Sequence, residues 1–193
     1  MTADKLTSEE KNVLLRLARE ALERGVNGEK LPPLNLESLS PRLRADGASF
    51  VTLTKNGNLR GCIGALEPCQ PLAEDVREHA VAAALNDFRF PPVSPEELPD
   101  IQIEISRLTI PEPLTYQNPE ELLKKLRPGI DGVLLCDGSR RATFLPQVWK
   151  KIPAPAVFLD HLCQKMGAPH GLWREKKLDV SIYQVEEFHE QRN

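Results

Sequence analysis

Proline is the residue that most constrains what this chain can fold into, because 17 of its 193 residues are prolines. A proline ring fixes φ and removes a backbone donor, so prolines end helices and are kept out of central strands. This count is nearly twice the ordinary share of about 5%. We therefore expect short elements joined by fixed corners, and no long helices.

Composition places the chain among ordinary globular proteins, with 40% hydrophobic and 27% charged residues. At roughly 150 residues per domain, its length predicts a single domain over 1–193. The net charge of −3, with no aromatic residues interleaved among basic ones, argues against nucleic acid or an anionic membrane as the partner. The N-terminus is charged, and no run reaches the ~18 apolar residues of a membrane span, so we expect a cytoplasmic protein.

The first half of the chain carries clear signals for helices and strands. Thr7 and Glu10 form a capping box ahead of an apolar stripe that ends at Gly25, which predicts an amphipathic helix. Asn56-Gly57 separates two β-type runs, 49–54 and 59–65, and predicts an antiparallel hairpin. A second helix is expected over 71–84, followed by a strand over 101–108 in which isoleucines alternate with polar residues.

The second half repeats that order of elements. A short helix begins at the cap Asn118, a hairpin surrounds Asp137-Gly138, a helix covers about 156–166, and a strand lies near 179–185. The repeat predicts an α+β fold made of two duplicated helix-hairpin-helix-strand units. Their approximate limits are 5–110 and 115–190. We expect the strands to share one largely antiparallel sheet, curled or barrel-like and flanked by helices.

The cysteines offer no sign of a metal centre or of a disulfide framework. They are widely spread, with no CxxC pair, no HExxH motif and no histidine-rich tract: Cys62, Cys69, Cys136 and Cys163. A chain of this size can build its core without disulfides. We therefore expect free thiols, no metal site and no cofactor.

The segment LRGCIG, residues 59–64, is the strongest candidate for a functional site. In a regular strand Arg60, Cys62 and Gly64 share one side, and two residues of extended chain separate Cα atoms by about 6.6 Å. The Arg60 guanidinium would then favour thiolate over thiol at Cys62, which makes Cys62 a candidate nucleophile. Gly61 and Gly64 would let a ligand or another backbone approach. Alternatively, Cys62 is a small core residue and the glycines mark a bulge.

A few polar residues elsewhere complete the set of candidates. Glu104 lies on the strand face opposite the isoleucines, so it points either to solvent or into a polar cleft, where it can act as a general acid or base. Asp87 and Arg89 form a polar corner after the second helix, which either binds a substrate carboxylate or caps the helix end. His79 and His161 lie on predicted helices and reach Cys62 only if the tertiary fold brings them there.

With these blocks in order, the sequence resembles the AMMECR domain family, called AmmeMemoRadiSam system protein A in prokaryotes. The resemblance covers nearly the whole chain and rests on the following segments: FVTLTKNGNLRGCIG (50–64), NDFRFPPV (86–93), IEISRLTIPEPL (103–114), DGVLLCDGSRRATFLPQV (131–148) and HLCQKMGAP (161–169). It implies an internally duplicated α+β domain with a cleft at LRGCIG. It also implies an association with a Memo-type protein and a radical S-adenosylmethionine protein, without naming a reaction.

Three hypotheses for function follow from these observations. The first is a component of a multi-protein modification or biosynthetic system, with a cleft at LRGCIG that binds an unknown small molecule or a partner. The second is a stand-alone enzyme in which Cys62 is the nucleophile, Arg60 binds an anion, and Glu104 or a histidine transfers a proton. The third is a scaffold or interaction protein without catalysis, whose glycine-rich strand serves packing only.

Overall fold

The computed structural model describes residues 5–191, which form two compact units. One unit takes in the chain up to Thr109 together with the segment from Glu186 onward, and the other spans Ile110–Val185. Over the described part of the chain, no helix combines the length and the apolar character needed to cross a bilayer.

Most helices and strands are short, but the expectation of no long helices is wrong: the first helix has 19 residues, because no proline precedes Pro32 in the sequence. In chain order they are α1 (Ser8–Val26), α2 (Pro41–Arg44), β1 (Asp46–Lys55), β2 (Asn58–Gly64), β3 (Gln70–Pro71), α3 (Leu72–Leu85), β4 (Ile101–Leu108), β5 (Glu112–Pro113), α4 (Pro119–Lys125), β6 (Gly132–Asp137), β7 (Arg140–Phe144), α5 (Pro155–Lys165), α6 (Leu172–Glu175), β8 (Asp179–Tyr183) and β9 (Val185–His189). Short 3₁₀ helices lie at Leu36–Ser38, Pro95–Asp100 and Pro146–Lys150.

Helix α1 begins where its capping box predicts. The Thr7 hydroxyl accepts the Glu10 backbone N–H at 3.2 Å, and the Glu10 carboxylate accepts the Thr7 N–H at 2.7 Å. These two bonds satisfy donors that a helix N-terminus otherwise leaves without partners. The apolar stripe of α1, which includes Leu14 and Leu22, is fully buried in the core of the first unit.

The first unit is built on a sheet with the strand order β2-β1-β4-β9, and β3 pairs with the start of β1. Strand β1 is antiparallel to both β2 and β4. Alternate residues of these strands, among them Val51, Leu53, Ile103 and Ile105, are buried in one core cluster with the apolar sides of α1 and α3. The other face of the sheet therefore carries the remaining alternate residues, most of them polar.

The β1–β2 hairpin is confirmed, and it contains an irregularity that the sequence did not reveal. Its turn residues Asn56 and Gly57 both have positive φ, 51° and 78°, as a tight two-residue hairpin turn requires. Beyond the turn, Thr54 pairs with Leu59 while Leu53 pairs with Gly61. Arg60 is thus the extra residue of a β-bulge.

The second unit has its own sheet and its own core. The strand order is β5-β8-β6-β7, with every neighbouring pair antiparallel. In its core the rings of Trp149 and Phe158 stack with centroids 3.6 Å apart, and Phe144 meets Phe158 edge-on. The Trp149 indole N–H donates to the Asp131 carbonyl at 2.7 Å, so its polar atom is satisfied inside the core.

The prediction of one sheet shared by both halves is wrong, because the two hairpins belong to different sheets. The reason lies in the outer strands: β9 pairs with the open side of β4, and β5 pairs with the open side of β8. Among the described residues neither sheet closes into a barrel. The α+β class and the antiparallel pairing are confirmed. The local strand orders β2-β1-β4 and β7-β6-β8 correspond to one another, while duplication itself stays a prediction.

Gly61 shows how tightly β2 packs on α3. It is buried, and a Cβ added there would overlap the carbonyl oxygen of Ala83 near the end of α3. We expect Gly61→Ala to lower the free energy of unfolding by about 1–3 kcal/mol, the usual cost of overpacking a core. Urea denaturation measures this loss.

Asn58→Ala, at an exposed position of the same strand, is the control and should change stability by no more than about 0.5 kcal/mol. Equal stability of Gly61→Ala and the wild type would contradict this packing and favour the alternative in which Gly61 leaves room for a ligand.

Candidate functional site

Three candidate side chains form a row across the face of the first sheet that lies away from its core. Cys62 pairs with Thr52 on β1, and Thr52 pairs with Glu104 on β4. Directly paired residues share a face, so all three side chains project on the side opposite Val51 and Leu53. Each member of the row is half-buried. The Thr52 hydroxyl donates a hydrogen bond to the Cys62 Sγ, with 3.3 Å between the atoms.

The backbone of Cys62 is held by a pair of charged side chains from the loop after α3. Strand β2 is an edge strand, and the Cys62 N–H donates to the Asp87 Oδ2 at 2.9 Å. Its carbonyl accepts from the Arg89 Nη2 at 3.1 Å. Asp87 and Arg89 therefore satisfy both backbone groups, as a neighbouring strand would.

The same two side chains are bonded to each other. The Arg89 Nε donates to the Asp87 Oδ1 at 2.9 Å, and its Nη2 donates to the Asp87 Oδ2 at 2.6 Å, which makes a bidentate pair. The Asp87 side chain is only 2% exposed, while that of Arg89 is 46% exposed. Hydrogen bonds from Arg89 hold the pKa of Asp87 well below its ordinary value, against the opposing effect of burial.

Arg89 is also the cation that lies beside the Cys62 thiol. Hydrogen bonding to Asp87 raises the pKa of Arg89 most, and smaller contributions come from the charge of the Cys62 side chain and a hydrogen bond to it. The Arg89 guanidinium thus brings hydrogen-bond donors to the Cys62 residue, where an anionic group of a ligand could also bind. Sequence reasoning missed this pairing, since the two positions lie 27 residues apart and no local pattern connects them.

Arg60, which the sequence pointed to as the partner of Cys62, is bound elsewhere. Its Nε and Nη2 donate to the Glu97 carboxylate at 3.1 and 2.9 Å, and its Nη1 donates to the Pro91 carbonyl at 2.8 Å. The alternation that placed Arg60 beside Cys62 does not continue through the bulge at this position. Arg60 thus fastens β2 to the proline-rich segment that follows α3.

The Glu97 carboxylate accepts hydrogen bonds from several donors. Lys55 donates to its Oε1 at 3.0 Å, and the Ser94 N–H donates to its Oε2 at 3.1 Å, in addition to the bonds from Arg60. Hydrogen bonds from Arg60 are the largest cause that lowers the pKa of Glu97, to about 2. This arrangement fixes the 3₁₀ helix at Pro95–Asp100 against the hairpin.

The two glycines of LRGCIG have packing partners in the structure. Gly61 lies against α3, and a Cβ at Gly64 would overlap the ring of Phe50 and the Ser49 carbonyl. For both positions, close approach of other parts of the same chain accounts for the glycine.

Neither candidate histidine belongs to the row of Cys62, Thr52 and Glu104. The His79 Nδ1 lies 3.2 Å from the Asp75 Oδ2, and the Ser49 hydroxyl donates to the same oxygen at 2.6 Å. This buried group joins α3 to the start of β1. His161 is exposed on α5 in the second unit.

The other cysteines differ from Cys62 in their surroundings. Cys69 is exposed on the loop after β2, and Cys136 is half-buried in the second unit. Cys163 is buried in the core of the second unit, and burial raises the pKa of its thiol. Cys62 is half-buried as well, and its sulfur accepts a hydrogen bond from the Thr52 hydroxyl.

Fold and site together define an α+β protein that holds a half-buried thiol at the edge of an antiparallel sheet. The family model AMMECR1 matches residues 15–188, most of the chain. The chain belongs to the AMMECR1 family.

Related archaeal proteins agree with this assignment. The chain is 41% identical over 186 residues to a protein of Methanothermobacter thermautotrophicus, with 96% of each covered. A protein of Methanopyrus kandleri is 39% identical over 200 residues, which cover 97% of this chain and 92% of the relative. The crystal structure of the uncharacterized protein PH0010 from Pyrococcus horikoshii is similar to this one, with a TM-score of 0.81 and 34% identity. That similarity covers 96% of this chain and 94% of PH0010.

The Glu97 carboxylate predicts a dependence of stability on pH. Its pKa falls from 4.5 to about 2 on folding, so its contribution is present above pH 4.5 and is lost as the pH falls through about 2. We expect Glu97→Gln to melt well below the wild type at pH 6, with the difference narrowing towards pH 2. Thermal melts across that range measure it.

Glu37→Gln, at an exposed position in the first unit, is the matched control and should stay close to the wild type throughout. A gap between Glu97→Gln and the wild type that is constant from pH 6 to pH 2 would contradict the role of the charged carboxylate.

Proposed function

We propose that this AMMECR1-family protein is the thiol-bearing component of a multi-protein modification or biosynthetic system, and that Cys62 is its nucleophile. One observation carries the proposal: the Asp87–Arg89 pair fixes both backbone groups of Cys62 and holds a guanidinium beside this residue. A cysteine that serves only packing needs no cation beside it. The half-buried position leaves the sulfur within reach of a small molecule.

Each residue near the thiol has a chemical role in this proposal. The sulfur of Cys62 attacks an electrophilic carbonyl carbon of a small molecule. The S–C bond forms, the S–H bond breaks, and the π electrons move to the carbonyl oxygen. The proton passes to the Thr52 hydroxyl, which hydrogen-bonds the sulfur, and that hydroxyl gives up its own proton to Glu104, the next residue in the row. Arg89 donates to the negatively charged oxygen that the attack produces.

The partners that we propose for this system are a Memo-type protein and a radical S-adenosylmethionine protein, which the resemblance of the sequence blocks implies. In this arrangement Cys62 holds or transfers a group that another component supplies or consumes. Co-expression of the three proteins from one genome tests this part. The expected result is co-purification of at least one of them with this chain, and purification of this chain alone would favour a stand-alone thiol enzyme.

Reactivity of Cys62 towards iodoacetamide tests the chemical core of the proposal. The exposed Cys69 would compete for reagent, so the assay uses a Cys69→Ser background and locates the alkylated cysteine by mass spectrometry. We expect Cys62 to react before Cys136 and Cys163. Arg89→Met removes the neighbouring positive charge. At pH 7 it should slow alkylation of Cys62 to roughly a tenth of the wild-type rate.

Arg60→Met is the matched control, because its guanidinium is bound to Glu97 and its loss should leave the alkylation rate of Cys62 unchanged. Arg89→Lys keeps a cation at the site and should retain most of the rate. If Cys62 is inert to iodoacetamide while Cys136 or Cys163 reacts, the proposed role of Cys62 as a nucleophile is disproved and the scaffold hypothesis is favoured. Equal slowing by Arg60→Met and Arg89→Met would remove the assigned role of Arg89.

A further inference from the structure

A fully exposed aromatic side chain lies between the two residues that hold Cys62. Phe88 is 95% exposed, although its neighbour Asp87 is buried. Phenylalanine, like tyrosine and tryptophan, is enriched in the cores of protein–protein interfaces.

The backbone that carries Phe88 is fixed on both sides. The Phe90 N–H donates to the Asp87 carbonyl at 3.0 Å, and the Val93 N–H donates to the Ala84 carbonyl at 2.9 Å. Asp87 itself is bound to Cys62 and Arg89. Phe88 is therefore presented in a set position, and a partner that binds it loses little affinity to ordering the loop.

The other exposed large apolar side chains of the first unit lie along the same sheet edge. Among the described residues of that unit they are Leu59 on β2 and Leu66 just beyond its end. They occupy positions three residues before and four residues after Cys62 in the chain. We call Leu59, Leu66 and Phe88 the apolar edge.

The charged side chain next to Phe88 on the apolar edge is positive. Arg89 follows Phe88 directly and is 46% exposed, whereas its partner carboxylate on Asp87 is buried. Its Nε and Nη2 are used by Asp87 and Cys62, so the guanidinium can still donate from Nη1. A carboxylate is the complementary group for that donor.

We propose that the apolar edge is the docking surface for a protein partner. An apolar pocket of that partner receives the Phe88 ring, and a carboxylate at the rim of that pocket binds Arg89. The partner would cover Cys62, since Phe88 lies between Asp87 and Arg89, the two residues that hold Cys62. This inference deepens the proposed function by identifying the face of the protein that its partner contacts, and it does not depend on which reaction Cys62 performs.

A protein fits this surface better than an anionic membrane does. Glu67, next to Leu66, is exposed, and the net charge of the chain is −3, so lipid headgroups would be repelled at one end of the apolar edge. Lipid surfaces are bound by clusters of several basic residues, whereas here one guanidinium accompanies one protruding ring.

The test uses a photo-crosslinker, p-benzoylphenylalanine, placed at position 66 so that Phe88 stays intact. A protein crosslinked in cells is purified and titrated against the wild type, Phe88→Ala and Ile130→Ala. Ile130 is an exposed apolar control in the second unit. Loss of a central aromatic anchor typically weakens binding on the order of thirtyfold, which is what we expect for Phe88→Ala. Ile130→Ala should change the affinity less than about twofold.

Two further results are expected if the docking surface is assigned correctly. The purified partner should protect Cys62 of the wild type from iodoacetamide, and it should not protect Cys62 in Phe88→Ala. Arg89→Glu should weaken the complex, and reversing the charge of one carboxylate on the partner should restore it. Without the partner, Phe88→Ala should be alkylated at Cys62 as fast as the wild type, because Phe88 does not contact the thiol in the proposed mechanism.

Other outcomes would overturn the inference. If the partner binds Phe88→Ala and Ile130→Ala with equal affinity, Phe88 is not part of the interface. Crosslinks only between copies of this chain would assign the apolar edge to self-association. Binding to phosphatidylglycerol vesicles that depends on Phe88, with no protein captured, would assign it to a membrane. A wild type whose Cys62 is inert to alkylation but whose partner still requires Phe88 would refute the proposed chemistry and leave the docking surface intact.

Discussion

The bidentate pair between Asp87 and Arg89 is the interaction on which the candidate site depends. Asp87 is buried, and an unpaired carboxylate in that position would be strongly unfavourable. Arg89 compensates its charge, and Cys62 N–H supplies a further hydrogen bond. The pair gives the edge strand β2 the hydrogen bonds that a further strand would otherwise provide. It does so at the one residue whose side chain carries the proposed chemistry.

The sheet of the first unit keeps its core packing and its half-buried polar row on opposite faces. On one face Val51 and Leu53 are fully buried, and Gly61 lets α3 approach β2. On the other face Cys62, Thr52 and Glu104 form the half-buried polar row. The period of two in a β-strand makes this separation possible, because a substitution in the row leaves the core contacts of its neighbours in place. Fold stability and reactivity can thus change separately.

Local signals in the sequence were sufficient to predict individual helices, turns and strands. The capping box of α1, the Asn56-Gly57 turn and the isoleucine alternation of β4 each act over a few residues, and each is confirmed. The pairing of β9 with β4 was missed because it joins distant parts of the chain. The prediction that Arg60 lies beside Cys62 used only the alternation of side chains along a strand. The β-bulge at Arg60 interrupts that alternation. Cys62, Asp87, Arg89 and Glu104 were all recognised as candidates, yet only the tertiary fold revealed that Arg89 is the cation near the thiol.

Hydrogen exchange at the Cys62 amide tests most directly whether Asp87 and Arg89 hold this residue. The amide points away from β1, to the open side of an edge strand, where an N–H normally exchanges quickly with solvent. If Asp87 accepts its hydrogen bond, NMR should show the amide exchanging as slowly as the sheet amides between β1 and β2. Exchange of the Cys62 amide at the rate of a solvent-exposed loop amide, in the folded wild-type protein, would contradict the account.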